Sequence, residues 1–185
     1  YLYKDIFEFQ DIRKPEIIER LLQALALQVG NEVSFHELSQ MLGVDTATVQ
    51  RYIDLLEKSY ILFHLRSFSR NVRNELKKSR KIYFYDNGVR NALISNFNTL
   101  SIRTDIGALW ENFLISERYK RNNYSLCHAG YYFWRTTQQQ EIDYIEELDG
   151  KLNCYEFKWN PNKKTTLSAT FSSNYPESTF TLVSS

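Results

Sequence analysis

Apolar residues in the first third of the chain recur every three to four positions, in three short runs separated by glycine. Ile17, Ile18, Leu21, Leu22, Leu25 and Val29 repeat at helical spacing, and Gly30 follows as a natural stop. A stripe that wide is stable only when packed against other elements. Ser34 stands three positions before Glu37, the capping-box arrangement that satisfies the free N–H groups of a helix start. Phe35, Leu38, Met41 and Leu42 then share one face, and Gly43 ends this short helix. Asp45 or Thr46 caps a third helix whose apolar positions are Val49, Tyr52, Ile53 and Leu56. Residues 34–58 are therefore expected to form helix, tight turn, helix.

Two β-type runs follow, 61–65 and 81–85, rich in Ile, Tyr and Phe. They can pair as a wing behind the third helix. The order and spacing predict a winged helix-turn-helix over residues 15–86. The polar face of the third helix offers Thr46, Thr48, Gln50, Arg51, Asp54, Glu57 and Lys58. Thr48, Gln50 and Arg51 could reach phosphates or base edges, whereas Asp54 and Glu57 repel phosphate. The stretch joining the wing strands carries Arg66, Arg70, Arg73, Lys77, Lys78, Arg80 and Lys81 against one acid, Glu75. Arg70, Arg73, Lys77 and Lys78 are the candidate contacts to a DNA backbone. The same stretch also reads as a solvated loop or as a protein-docking surface. The acids on the third helix favour a backbone-contacting or docking module over a self-sufficient sequence reader.

Composition narrows the classes. With 43% hydrophobic and 24% charged residues in 185, the chain has the balance of a globular protein of one large or two small domains. Net charge is +1, so any footprint for nucleic acid must be local. No run approaches the roughly 20 apolar residues of a membrane span, and no signal peptide is visible. Cys127 and Cys154 have neither a CxxC pattern nor a histidine at ligand spacing. They predict no zinc site, two small buried side chains and a reducing cytoplasmic setting. No GxSxG elbow is present, and His36, His64 and His128 lie in unrelated segments, which disfavours a serine hydrolase. His36 and His64 read as polar surface residues; Trp110, Trp134 and Trp159 read as core. No small-molecule substrate is evident. The first residue is Tyr1, not Met, and we expect a piece of a longer protein.

In the second half, Asp86 can cap a short helix through Val89, Leu93 and Ile94. A longer helix is expected over 105–120, with Ile106, Leu109, Trp110, Phe113, Leu114 and Tyr119 on its apolar face and Glu111 and Asn112 beside it. The runs 124–128, 131–136, 141–147, 152–159 and 179–183 are β-type, with a helical piece near 166–174 before the last. This succession predicts an α/β sandwich over 87–185, and an α+β chain overall.

Side chains alternate across a strand. On 152–159, Asn153, Tyr155, Phe157 and Trp159 take one face, and Leu152, Cys154, Glu156 and Lys158 the other. Glu156 and Lys158 thus share a side, about 7 Å apart. On the preceding strand, Glu141, Asp143 and Ile145 share a face, and a turn near Asp149-Gly150 would bring Asp143 close to Glu156. Two carboxylates and a lysine at the rim of a covered sheet are costly unless paired or liganded. Carboxylate oxygens suit Mg²⁺, and a lysine beside them can steady an anion or orient a water. Together these are the parts of metal-assisted phosphodiester hydrolysis. An ordinary cross-strand salt bridge from Lys158 to either acid explains the same residues.

Asp143, then Glu156-Phe157-Lys158, preceded by the helix holding Glu111, resembles the PD-(D/E)xK nuclease superfamily. The series Tyr3-Lys4-Asp5-Ile6, Tyr85-Asp86-Asn87-Gly88, Trp110-Glu111-Asn112-Phe113, Trp134-Arg135, Glu141-Ile142-Asp143 and Glu156-Phe157-Lys158 is similar to the C-terminal region of a prokaryotic family of AAA-type ATP-binding proteins. The likeness covers nearly the whole chain. It implies an ATPase domain before this segment, with residues 1–14 as its tail or linker. ATP would bind only there, since no GxxxxGK[ST] occurs here. It further implies Asp143 and Glu156 as metal ligands for Mg²⁺, Lys158 as the catalytic-type lysine and Glu111 as the helix acid completing the site. No Pro precedes Asp143, which is a departure from the superfamily's pattern. The implied function is a DNA-interacting winged helix feeding a nuclease-like domain. The alternative is a non-catalytic regulatory or protein-interaction domain of the ATPase.

Overall fold

A computed structural model describes residues 15–69 and 80–185. Residues 1–14, and with them the expected linker, lie outside the described residues, as do the candidate contacts Arg70, Arg73, Lys77 and Lys78. The described residues form six α-helices and one mixed sheet of seven strands, an α+β arrangement.

Helix α1 (Pro15–Leu27) begins on proline, whose fixed φ suits a first helical position. It buries the stripe Ile17, Ile18, Leu21, Leu22 and Leu25. Strand β1 (Glu32–Val33) is too short to show any alternation in the sequence. Ser34 then caps α2 (Phe35–Leu42) by accepting from Glu37 N, and Gly43 closes it at φ 67. Asp45, rather than Thr46, caps α3 (Thr46–Lys58), its carboxylate accepting from Thr48 N at 2.7 Å. Val49, Tyr52, Ile53 and Leu56 are all buried.

Strands β2 (Leu62–Ser67) and β3 (Arg80–Phe84) pair antiparallel, and β1 adds to the far side of β3. β2 also pairs in parallel with β4 (Gly130–Arg135) through Arg66↔Tyr132 and Ser67↔Phe133. The sheet order β1-β3-β2-β4-β5-β6-β7 therefore runs without a break through both halves. The larger core does likewise: Ile18, Leu21 and Phe84 share one cluster with Ile115, Phe133, Tyr144 and Phe157.

Asp86 caps α4 (Asn87–Leu93) through Val89 N. Helix α5 (Ile106–Tyr124) runs four residues beyond the expected end, so the expected strand over 124–128 does not form. Its apolar composition is misleading, because Tyr124 and Leu126 are exposed and β4 already has a neighbour on each side. Strands β5 (Glu141–Leu148) and β6 (Lys151–Lys158) join through Asp149 and Gly150, both at positive φ, which is the two-residue hairpin the sequence indicates. After α6 (Ala169–Asn174), β7 (Thr179–Ser184) pairs in parallel with β6. A smaller core of Phe68, Ile142, Ile145, Leu152, Cys154 and Phe171 lies under α6.

Several side chains depart from expectation. Trp110, Trp134 and Trp159 are half-buried rather than core. Trp110 and Trp159 meet edge to face at 5.6 Å and line an open cleft of about 380 Å³. Met41 and Phe113 are largely exposed, and Cys127 is only half-buried. His36 is exposed, but His64 is half-buried and paired with Glu57, because β2 runs against α3. Among the described residues, no helix is long and apolar enough to cross a membrane.

Candidate functional site

The ladder between β5 and β6 ends at Tyr144↔Tyr155. Beyond that pair, the Phe157 N–H donates to the Asp143 side chain at 2.8 Å. The candidate site lies at this end of the ladder. Lys158 Nζ lies 2.6 Å from Glu156 Oε1 and 3.5 Å from Asp143 Oδ2. One ammonium thus holds both carboxylates that the sequence nominates.

Strict alternation does not place Asp143. Ile142 and Ile145, three positions apart, pack in the same small core, while Tyr144 faces the larger one. The register against β4 shifts here, since Tyr132 opposes Ile145 but Trp134 opposes Ile142. β5 therefore carries an extra residue at 143–144. Such a bulge re-aims a side chain and breaks the period of two. The expected face of Glu141, Asp143 and Ile145 is corrected accordingly.

Helix α5 brings the third acid. Glu111 Oε1 accepts from Tyr83 OH at 2.7 Å and lies 3.8 Å from Lys81 Nζ. Burial pushes the Glu111 carboxyl up to about 7; Lys81 opposes this and the Asp143 charge adds to it. Burial also raises Asp143, against the pull of Lys158, and it raises Glu156, where the Asp143 charge acts in the same direction. Lys158 is raised by Asp143, Glu156 and Glu111 despite its own desolvation. Lys158 thus joins Asp143 and Glu156, Lys81 joins Glu111 and Glu141, and the charges of the two groups act on one another.

Three further members went unrecognised in the sequence. Lys81, assigned to a basic wing, is buried at 3% exposure, ion-paired with Glu141 and over the Phe133 ring at 5.4 Å. Burial lowers its proton affinity, but the charges of Glu111 and Glu141 more than restore it. Tyr83, two positions on, is fully buried with its hydroxyl on Glu111. The legible signal was a lysine inside Arg80-Lys81-Ile82-Tyr83-Phe84, a run with the character of a central strand. Gly30 belongs here too: a Cβ there would lie 3.3 Å from Glu111 Oε1.

The motifs around the cluster build the frame. Asn112 is fully buried, accepts from Phe84 N at 2.8 Å and donates to Phe84 O at 3.0 Å and Asn87 Oδ1 at 2.7 Å. Arg90 is buried, donates to Ala26 O and pairs with Asp105, which Arg103 also holds.

On α3 the candidate contacts are largely engaged. Thr48 Oγ1 donates to Asp45, and Gln50 Nε2 donates to Asp54 at 2.6 Å. Arg51 is exposed beside the Tyr52 ring. Among the described residues, no group of three or more His, Cys, Asp and Glu side chains is arranged to hold a metal ion.

A family described as a domain of unknown function, DUF8612, matches residues 1–100. The chain belongs to this family. A second domain of unknown function, DUF4143, matches residues 106–183. The DUF8612 segment supplies Lys81, Tyr83 and Gly30, and the DUF4143 segment supplies Glu111, Glu141, Asp143, Glu156 and Lys158. An uncharacterised protein of Mycobacterium tuberculosis and one of Mycobacterium bovis are each 29% identical over 143 residues, 76% of this chain and 32% of theirs. An uncharacterised protein of Methanocaldococcus jannaschii is 26% identical over 132 residues, 69% of this chain and 28% of its own. The chain thus spans about a third of the length of these curated relatives. No solved structure matches.

Proposed function

We propose that this chain is a nucleic-acid-acting module of an AAA-type ATPase, with a metal-dependent phosphodiesterase site at Glu111, Asp143, Glu156 and Lys158. The observation that carries the reading is the pairing of Lys158 with both Asp143 and Glu156, with the Glu111 charge near enough to act on Lys158. The order α5, β4, β5, β6, α6, with β7 parallel to β6, suits the nuclease-like sandwich that the resemblance implies. The succession α1, β1, α2, α3, β2, β3 suits a winged helix. DNA is the proposed partner, met by Arg51 and by Arg70, Arg73, Lys77 and Lys78. The unmatched two thirds of the relatives leave room for the ATPase domain, and the cytoplasm is the proposed location.

The proposed ligands are two carboxylates, Asp143 and Glu156, both already paired with Lys158. Lys158 faces Asp143 and Glu156, and Lys81 faces Glu111 and Glu141, which Arg135 also approaches at 4.0 Å. Asp143 and Glu156 would hold Mg²⁺ through hard oxygens, with Glu111 beside them. The ion would supply Lewis acidity and a more acidic bound water. A cation there competes with Lys158 for the two carboxylates. Lys158, once released, is placed to steady an anionic phosphate oxygen.

The test is incubation of DNA and Mg²⁺ with this chain, and with the full-length protein plus ATP. Cleavage that Asp143→Ala abolishes supports the reading; no cleavage by either, with no effect of Asp143→Ala, refutes it. A second reading, a non-catalytic regulatory or interaction domain, is favoured by the lysines already pairing the carboxylates. It expects no Mg²⁺ or Mn²⁺ binding in calorimetry and a loss of stability in Lys158→Met.

A further inference from the structure

The segment joining α4 to α5, the start of α5 and Trp159 just past β6 line an open cleft of about 380 Å³. Trp110 and Trp159 meet edge to face at 5.6 Å, and Phe113 stacks beside Trp110 at 6.3 Å, so three rings share its lining. Arg103 is the one charged residue in that lining, and its side chain is only 2% exposed. Among the described residues, Arg103 and Arg90 share Asp105 as their ion-pair partner, so this buried group keeps one positive charge in excess. Asp105 precedes α5 but makes no side-chain cap to it, which leaves the helix start uncovered by that carboxylate. The Trp110 indole N–H is buried and meets no acceptor among the described residues. A buried donor left without an acceptor is costly, and a ligand that accepts from it removes that cost.

We propose that this cleft binds a nucleotide, its base against Trp110, Phe113 and Trp159 and its phosphate toward Arg103 and the start of α5. The volume lies within the roughly 300–1,000 Å³ of small-molecule sites, and a mostly apolar lining with few polar groups is their usual character. A base offers a flat face to the rings, and its carbonyl and ring-nitrogen acceptors suit the unpaired indole N–H. The phosphate supplies the negative charge that the arginine pair lacks, at a helix start that itself favours anions. An aliphatic acid would match the charge and leave the rings without a flat partner; an uncharged base would do the reverse. The nucleotide is either free or the end of a strand, and both present the same chemistry. None of Glu111, Asp143, Glu156 and Lys158 lines the cleft, so the inference does not rest on the hydrolytic reading.

Titration in chelator, read by tryptophan fluorescence and calorimetry, tests the assignment apart from any metal chemistry. The unaltered chain should bind deoxyadenosine monophosphate, with deoxyadenosine and inorganic phosphate each at least about fivefold weaker. Trp159→Leu and Phe113→Ala should each weaken the nucleotide at least about fivefold, the loss expected from one base–aromatic stack. Trp110→Phe, which keeps a ring and removes the N–H, should weaken it too. A terminally phosphorylated single-stranded oligo-deoxyadenylate separates the two sources. Tighter binding of the oligonucleotide, weakened by the same variants, assigns the cleft to a strand end; equal or tighter binding of the mononucleotide assigns it to a free nucleotide. Deoxyadenosine or octanoate binding as tightly as the mononucleotide and the oligonucleotide overturns the inference. So does the absence of binding by either nucleotide probe, or binding unchanged in Trp159→Leu and Phe113→Ala chains whose circular dichroism shows them folded.

Discussion

Replacing Asn112 by alanine tests how the helix that carries Glu111 is fixed to the sheet. In an antiparallel ladder, alternate residues exchange backbone bonds with the partner strand. Tyr85 N donates to Ile61 O, so the neighbouring Phe84 turns its N–H and C=O away from β2. β1 pairs only Arg80 and Lys81 and ends short of this position. Asn112 takes the place of the missing strand, its amide serving both groups of Phe84 and also Asn87. Alanine leaves a buried N–H and a buried C=O unsatisfied. Each costs about 1–3 kcal/mol, so the loss should be about 2–6 kcal/mol. That is a large part of the roughly 5–15 kcal/mol of a typical domain. Urea denaturation should show a lower midpoint at an unchanged slope. Asn112→Asp keeps one acceptor, loses both donations and buries a charge, so it should be at least as damaging. A loss below about 1 kcal/mol in Asn112→Ala would show that water or backbone movement replaces the amide, and the surrogate-strand argument would fail.

Gly30→Ala and Gly43→Ala form a matched pair. Both sit at positive φ and should cost about 1–2 kcal/mol, but only at Gly30 does the new Cβ approach Glu111. Gly30→Ala alone should therefore weaken Mn²⁺ binding; equal effects would contradict the placement of Glu111. Asp105 is held well below the usual carboxylate range, chiefly by hydrogen bonds from Arg103 and then Arg90. A depressed folded value means that this stability is present above about pH 4 and is lost as pH falls through the folded value. Asp105→Ala should cost about 3–5 kcal/mol at neutral pH, because it leaves two buried guanidinium groups without their carboxylate. Melting curves from pH 6 to pH 2 should fall less steeply for Asp105→Asn than for the unaltered chain, and identical slopes would remove Asp105 from the account.

Local signals were read well where a single turn or cap decides the structure. Ser34, Gly43, Asp86 and the Asp149-Gly150 hairpin each do in the fold what their chemistry suggests. The sequence is silent where a distant partner decides. Residues 124–128 have strand-like composition, but β4, which follows them, already has a neighbour on each side and α5 continues instead. Asp143 is aimed by a bulge that is defined only against β4. Lys81 reads as one more base in a basic run until strand pairing carries it inside against Glu141. Asn112 looks like a polar residue beside an apolar face, and only the short β1 explains its burial. Glu156 and Lys158 are legible from strand period, Asp143 from the hairpin that faces them, and Glu111 only from the resemblance; their surroundings require the fold.

A hydrolytic site at these four residues and a mere set of ion pairs predict opposite results. Single-turnover cleavage of end-labelled DNA in Mg²⁺ separates them most directly, comparing the unaltered chain with Asp143→Ala and with chelated metal. Loss of even a supporting partner of a metal ligand typically costs about 10–100-fold. A hydrolytic site should give Mg²⁺-dependent cleavage that falls by at least about a hundredfold in a folded Asp143→Ala. Cleavage that persists in that variant or in chelator, or no cleavage above background in any form of the protein, would contradict it.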